Sequence, residues 1–175
     1  MFLNKIQMSG YSLNRSASNN DRFIHLKAMM IFAFFMCPSV SAIAEPGKHY
    51  LAIEKNIYSD ENDLDIISVG MLSLEDNIAS LIKLSYLNSD INGEGGTLDL
   101  GGGYTYNAGV SLYVLFAVSL GYNWDTEDTI AAYFPEAGIV MDFTDSFSIS
   151  VSGKRYFNLY EKDEDIVMFG LLFRN

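Results

Sequence analysis

From Tyr50 onward, apolar and polar residues alternate with a period of two, the mark of strands whose two faces meet different surroundings. The stretch from Val110 to Trp124 is the clearest. Its even positions are Val110, Leu112, Val114, Phe116, Val118, Leu120, Tyr122 and Trp124, and its odd positions are Ser111, Tyr113, Leu115, Ala117, Ser119, Gly121 and Asn123. One face is uniformly apolar over the length of a tilted membrane strand, while the other is small and mildly polar. The same alternation occupies 49–56, 64–74, 78–88, 96–106, 130–143, 147–159 and 166–173. Eight strands are therefore predicted, the smallest number that closes a transmembrane barrel.

The connections alternate in length. Glu75-Asp76-Asn77, Asn107-Ala108-Gly109 and Thr144-Asp145-Ser146 read as tight turns, whereas 57–63, 89–95, 123–129 and 160–165 read as longer, acidic loops of about six or seven residues. That asymmetry fits an outer-membrane barrel with both termini on the periplasmic side. A turn centred on Asp145 sets Phe143 against Phe147, Met141 against Ile149, Ile139 against Val151 and Glu136 against Lys154. A turn centred on Ala108 sets Tyr106 against Val110, Tyr104 against Leu112 and Leu100 against Phe116, and places Gly103 where it admits the Tyr113 ring.

A soluble barrel keeps its apolar face inside and covers itself with charged and polar side chains. Here the second face of segments four and five is Thr97, Asp99, Gly101, Gly103, Thr105, Ser111, Ala117 and Ser119, too small and too weakly charged for a watery exterior but suited to a narrow packed lumen. Lys83 and Asp99 fall inside on neighbouring strands and are expected to pair. Tyr86, Tyr122, Trp124 and Tyr133 near one set of strand ends, and Tyr104, Tyr106, Phe143, Phe147 and Phe173 near the other, are expected to form two interfacial girdles. Pro135 lacks a ladder donor, and Arg155 follows the inward Lys154, so a bulge near Gly153 or an early strand end is expected there.

Ahead of the strands, residues 28 to 44 form a short apolar run closed by small residues, Ala42 and Ala44, with Lys27 just before it. This reads as a cleavable signal peptide cut before Glu45, which makes 1–44 a removed leader and 45–175 the barrel. The residues before Cys37, Phe34-Phe35-Met36, are not the small-residue box of a lipidated cysteine. The processed chain then carries 7 basic and 21 acidic residues, a net charge of −14, and no cysteine. With 49% hydrophobic and 14% aromatic residues in 175, the composition excludes disorder, a disulfide scaffold and a basic nucleic-acid binder.

These residues resemble small Gram-negative outer-membrane barrels of the eight-stranded OmpA and OmpX type, and more closely the YfaZ-type family. The likeness rests on Ser85-Tyr-Leu-Asn-Ser-Asp-Ile-Asn-Gly-Glu-Gly-Gly-Thr-Leu-Asp-Leu-Gly-Gly-Gly-Tyr104, similar to that family's strand, acidic loop and glycine-rich strand, and on Phe143 to Val151, similar to its next periplasmic turn. It covers residues 78 to 160 and implies a fold and a place in the cell outer membrane, without an activity. The closing Phe169-Gly-Leu-Leu-Phe173 resembles the terminal aromatic signal read by the barrel-insertion machinery, from which this chain departs by adding Arg174 and Asn175.

Candidate chemistry is sparse. The single histidine of the processed chain, His49, starts the first strand on the periplasmic side, away from the outer rim where lipid A-modifying barrels assemble their histidine-centred sites. Asn88, Asp90 and Asn92 before Gly93, with Asp99 following, resemble a degraded calcium loop, but Asn92-Gly93 between strands is first of all a hairpin turn. Gly101 to Gly103 precede no helix and so form no phosphate cradle. The acidic loops, including Asp60, Glu61, Asp63, Asp90, Glu94, Asp125, Glu127, Asp128, Glu161, Asp163, Glu164 and Asp165, would meet lipopolysaccharide with bridging divalent cations or simply keep the surface solvated. No catalytic, cofactor-binding or metal-binding residue is assigned, and no nucleic acid is expected as a partner. The expected protein is a monomeric all-β, antiparallel up-and-down barrel of structural or surface-interaction type. A narrow pore, a lipid A-modifying enzyme and a secreted soluble barrel for an apolar ligand are the competing classes. Tyr113, Leu115 and Val140 point inward and should occlude a pore.

Overall fold

The computed structural model describes residues 47–60 and 63–174; the leader and its cleavage site lie outside the described residues. Eight strands follow one another: β1 (Lys48–Ser59), β2 (Leu64–Glu75), β3 (Ile78–Ser89), β4 (Gly93–Ala108), β5 (Val110–Asn123), β6 (Thr129–Asp142), β7 (Phe147–Leu159) and β8 (Lys162–Arg174). Each pairs antiparallel with its neighbours in sequence, and β8 returns to β1, so the sheet closes without an edge.

Following ladder partners once round the wall leads from Lys48 through Leu74, Ala79, Gly103, Leu115, Glu136, Lys154 and Ile166 to Ser59. The circuit thus climbs eleven positions along β1, one of them taken up by the bulge between Asn56 and Tyr58. That stagger tilts the strands and brings residues distant in sequence to one level.

The strands exceed their predicted ends at the long-loop side. β1 runs to Ser59, β4 begins at Gly93 and β8 begins at Lys162, leaving connections of two to five residues rather than six or seven. Period-two alternation continues through these acidic stretches, with Glu164 buried and Asp163 and Asp165 facing out, so the ladder persists above the apolar band.

The ladder around Asp145 is as expected, with Asp142 opposite Ser148 and Glu136 opposite Lys154. The one between β4 and β5 differs by two residues: Ala108 faces Val110, Tyr104 faces Val114 and Gly103 faces Leu115. The chain reverses at Gly109, whose φ of +80° suits glycine, rather than at Ala108. A two-residue shift leaves every side chain on its predicted face. The Tyr113 ring instead lies over Gly138, where a Cβ would stand 2.5 Å from the ring.

No bulge occurs at Gly153. The β6–β7 ladder keeps its register on both sides of a gap between the pairs Tyr133–Phe157 and Glu136–Lys154, where Pro135 offers no donor. Arg155 therefore keeps its outward phase, its guanidinium 3.3 Å from Asp165 and 3.6 Å from Asp163.

Candidate functional site

The orientation of the sheet decides what the molecule can do. Val114, Phe116 and Val118 are 55%, 53% and 41% exposed on the outer wall, whereas Thr105 and Ser119 are 5% and 1% exposed and face the lumen. The apolar-out arrangement read from the sequence for β4 and β5 is thus the one adopted.

Aromatic side chains bound this wall at both ends. At the end bearing the short turns, Phe147 packs at a tilt against Phe143 and Phe173, at 6.3 and 5.8 Å between ring centroids, and Tyr104 and Tyr106 project outward. At the other end Tyr86 stacks on Trp124 at 6.0 Å and Tyr133 on Phe157 at 5.1 Å. Amphipathic rings in two belts match the two interfaces of a bilayer.

Buried side chains project into the lumen at several levels. At the short-turn mouth, Asp142 of β6 accepts hydrogen bonds from the Tyr50 hydroxyl at 2.9 Å, the Ser148 hydroxyl at 2.6 Å and the Lys48 ammonium at 2.8 Å, tying β1 across the opening. Midway, the Lys83 ammonium donates to both oxygens of Glu54 at 2.9 and 2.7 Å and lies 3.7 Å from Glu136. Glu136 also accepts from the Tyr113 hydroxyl at 2.7 Å. Beyond this cluster, the Lys154 ammonium sits 5.0 Å from the rings of both Phe134 and Tyr156. Tyr113, Leu115 and Val140 are buried in the lumen as predicted.

The expected Lys83–Asp99 pair does not form. The two are opposite one another across β3 and β4, but Asp99 accepts from Ser85 at 2.6 Å and Thr97 at 3.0 Å, and also from Ser119, while the ammonium reaches across to β1. Neighbours on one face of a sheet project side by side, whereas the lumen is narrow enough for a long side chain to meet a carboxylate on a non-adjacent strand. Sequence reasoning did not single out Glu54. Its inward parity on β1 was the available signal.

The remaining candidates separate. Asp99 is buried in the lumen, so it cannot close a calcium loop with the exposed Asp90. Residues 90–92 instead form the β3–β4 hairpin, with the Ser89 hydroxyl accepting from the Ile91 and Asn92 amides and Gly93 at φ +81°. Gly101 and Gly103 give close approach to β5. Among the described residues no group of three His, Cys, Asp or Glu side chains could hold a metal ion. At the long-loop end the pKa of the half-buried Tyr160 phenol is pushed up to about 12, chiefly by desolvation.

His49 has company the sequence reading missed. Its Nδ1 lies 2.9 Å from the Ser73 hydroxyl and its Nε2 lies 3.0 Å from Glu75, on the outer wall near the short turns. His49 and Ser73 are ladder partners, and Glu75 follows two residues along the same strand. The trio thus lies side by side on two paired strands.

The sequence matches no family profile and none of the curated proteins. Among solved structures, the chain is similar to the N-terminal β-barrel domain of Pseudomonas aeruginosa OprF. That likeness has a TM-score of 0.57 and 20% identity over 74% of this chain and 100% of that one. It is also similar to a de novo designed transmembrane β-barrel, with a TM-score of 0.53 and 16% identity over 75% of this chain and 98% of that one. The fold is therefore that of an eight-stranded transmembrane-type barrel.

Proposed function

We propose that this chain is an exported outer-membrane barrel of structural or surface-interaction type, with no catalytic role and a lumen closed by its own side chains. The observation that carries the reading is the apolar outer wall, since Val114, Phe116 and Val118 face outward between two aromatic belts. In water such a wall would aggregate; in a bilayer it is the low-energy arrangement. The signal-like segment of residues 28–44 supports export, and the closing Phe169–Phe173 stretch supports recognition by insertion machinery. Short turns and termini then lie on the periplasmic side and the acidic loops at the surface, against lipopolysaccharide whose phosphates share bridging divalent cations with them.

Migration of boiled and unboiled protein after membrane fractionation tests the reading. A heat-modifiable band in the outer-membrane fraction is expected, and a band confined to the soluble fraction overturns it. The polar mid-lumen cluster favours a narrow pore as the second reading. Steady single-channel conductance in planar bilayers would establish that reading in place of the closed lumen.

A further inference from the structure

A hollow of about 470 Å³ lies in the outer wall where β6, β7 and β8 adjoin. One ladder row forms its floor. Val114 of β5 faces Ala137 of β6, which faces Gly153 of β7, then Val167 of β8 and finally Tyr58 of β1. The two smallest residues stand side by side in the middle of the row, and a Cβ placed at Gly153 meets nothing within 4 Å. The next outward row toward the short turns, Ile139, Val151 and Phe169, is bulky on every strand and bounds the hollow on that side. Pro135 and the Arg155 stem bound it on the other.

The hollow is slanted. A circuit of the ladders from β1 to β8 returns to β1 nearer the long-loop end, so the row from Val114 to Tyr58 climbs the same way. At a strand tilt of about 35–45° each step rises about 3 Å, and the four steps rise about 12 Å. Charge gathers at the upper end of this furrow. Arg155 is one outward position below Phe157 of the upper aromatic belt, with its guanidinium 5.6 Å from that ring. Asp165 and Asp163 lie 3.3 and 3.6 Å from it, and the Tyr58 hydroxyl donates to Asp60 at 2.7 Å. The rim thus carries one guanidinium and three carboxylates. Asp165 accepts one hydrogen bond from a guanidinium that has five donors.

We propose that this furrow is a lipid site that holds one acyl chain of a glycerophospholipid whose headgroup carries both a phosphate and an ammonium group. The phosphate takes donors of Arg155, and the ammonium faces Asp163, Asp165 and Asp60. Lipid tails are about as apolar as leucine, so apolar contact alone does not hold one lipid against the rest of the bilayer. Two features of the furrow do. A chain lying over Ala137 and Gly153 restores packing where the wall lacks side-chain atoms, and the headgroup meets fixed charges at the level where the furrow ends. The acidic surplus at the rim selects a headgroup with its own cation, because a purely anionic one would bring its charge against three carboxylates. The proposal names a ligand class for the surface-interaction reading and rests on the membrane reading of the outer wall.

The test inserts the whole chain in vesicles of phosphatidylethanolamine and phosphatidylglycerol in equal amounts, extracts it in mild detergent and reads the lipids that stay bound by native mass spectrometry. Phosphatidylethanolamine should be retained in preference. Gly153→Leu, or independently Ala137→Leu, fills the furrow and should cut that retention at least threefold, the effect of about 0.7 kcal/mol on an equilibrium. Gly102→Leu, at an outward glycine of β4 where a Cβ meets only the Ala79 carbonyl oxygen at 3.9 Å, should leave it unchanged. Arg155→Gln should lower phosphatidylethanolamine retention by a similar factor while leaving that of a diacylglycerol with the same chains as it was. In an inserted and heat-modifiable barrel, equal retention of the two phospholipids, preference for phosphatidylglycerol, no loss on filling the furrow, or equal loss in Gly102→Leu overturns the proposal alone. A chain that stays outside the vesicles overturns the membrane reading with it.

Discussion

The Lys83 ammonium is bonded to Glu54 across the lumen, although its ladder partner is Asp99. With Glu136 3.7 Å away, one buried cation is shared by two buried carboxylates. Removing one member of such a set leaves charge uncompensated in a dry interior, typically costing about 3–5 kcal/mol. Lys83→Met should destabilise the barrel by that order, and Lys83→Met combined with Glu54→Gln should recover most of the loss. Urea unfolding in vesicles, read by the boiled-to-unboiled gel shift, measures both.

Two glycines on neighbouring strands should respond oppositely to a single methyl group. At Gly138 a Cβ would stand 2.5 to 2.6 Å from the Tyr113 ring and hydroxyl, which is itself tied to Glu136. Gly138→Ala should therefore cost about 1–3 kcal/mol by overpacking the lumen. At Gly153 a Cβ meets nothing within 4 Å, so Gly153→Ala should leave the unfolding midpoint unchanged or slightly raised.

The chain has a single tryptophan, Trp124, stacked on Tyr86 at the long-loop end of the wall. If that end lies at a membrane interface, its fluorescence should be quenched most by labels near the lipid headgroups and least by labels deep in the acyl chains. Emission insensitive to any lipid-borne quencher would contradict a membrane position for the belt.

Lys154 and Arg155 are adjacent in sequence and opposite in setting. Lys154 is buried against Phe134 and Tyr156, while Arg155 is half exposed beside Asp163 and Asp165. Arg155→Ala should cost less than about 1 kcal/mol, as for other exposed ion pairs. Lys154→Ala should cost several times more, through a lumen cavity and loss of a positive neighbour of Glu136. Equal effects in paired unfolding experiments would mean that the strand phase around Gly153 is wrong.

Strand number, strand direction and the face of each residue were legible in the sequence because each is local. A period-two pattern assigns a side chain to wall or lumen by parity alone, so Phe116 could be placed outside and Ser119 inside without knowing what either touches. The same parity is blind to a shift of two. The β4–β5 register therefore awaited the actual reversal at Gly109, and Tyr113 found its space at Gly138 rather than Gly103. Contacts across the lumen, such as Lys83 with Glu54 and Tyr50 with Asp142, were decided only by the closed sheet. Their levels depend on the stagger accumulated from ladder to ladder round the barrel, a sum that no single segment encodes.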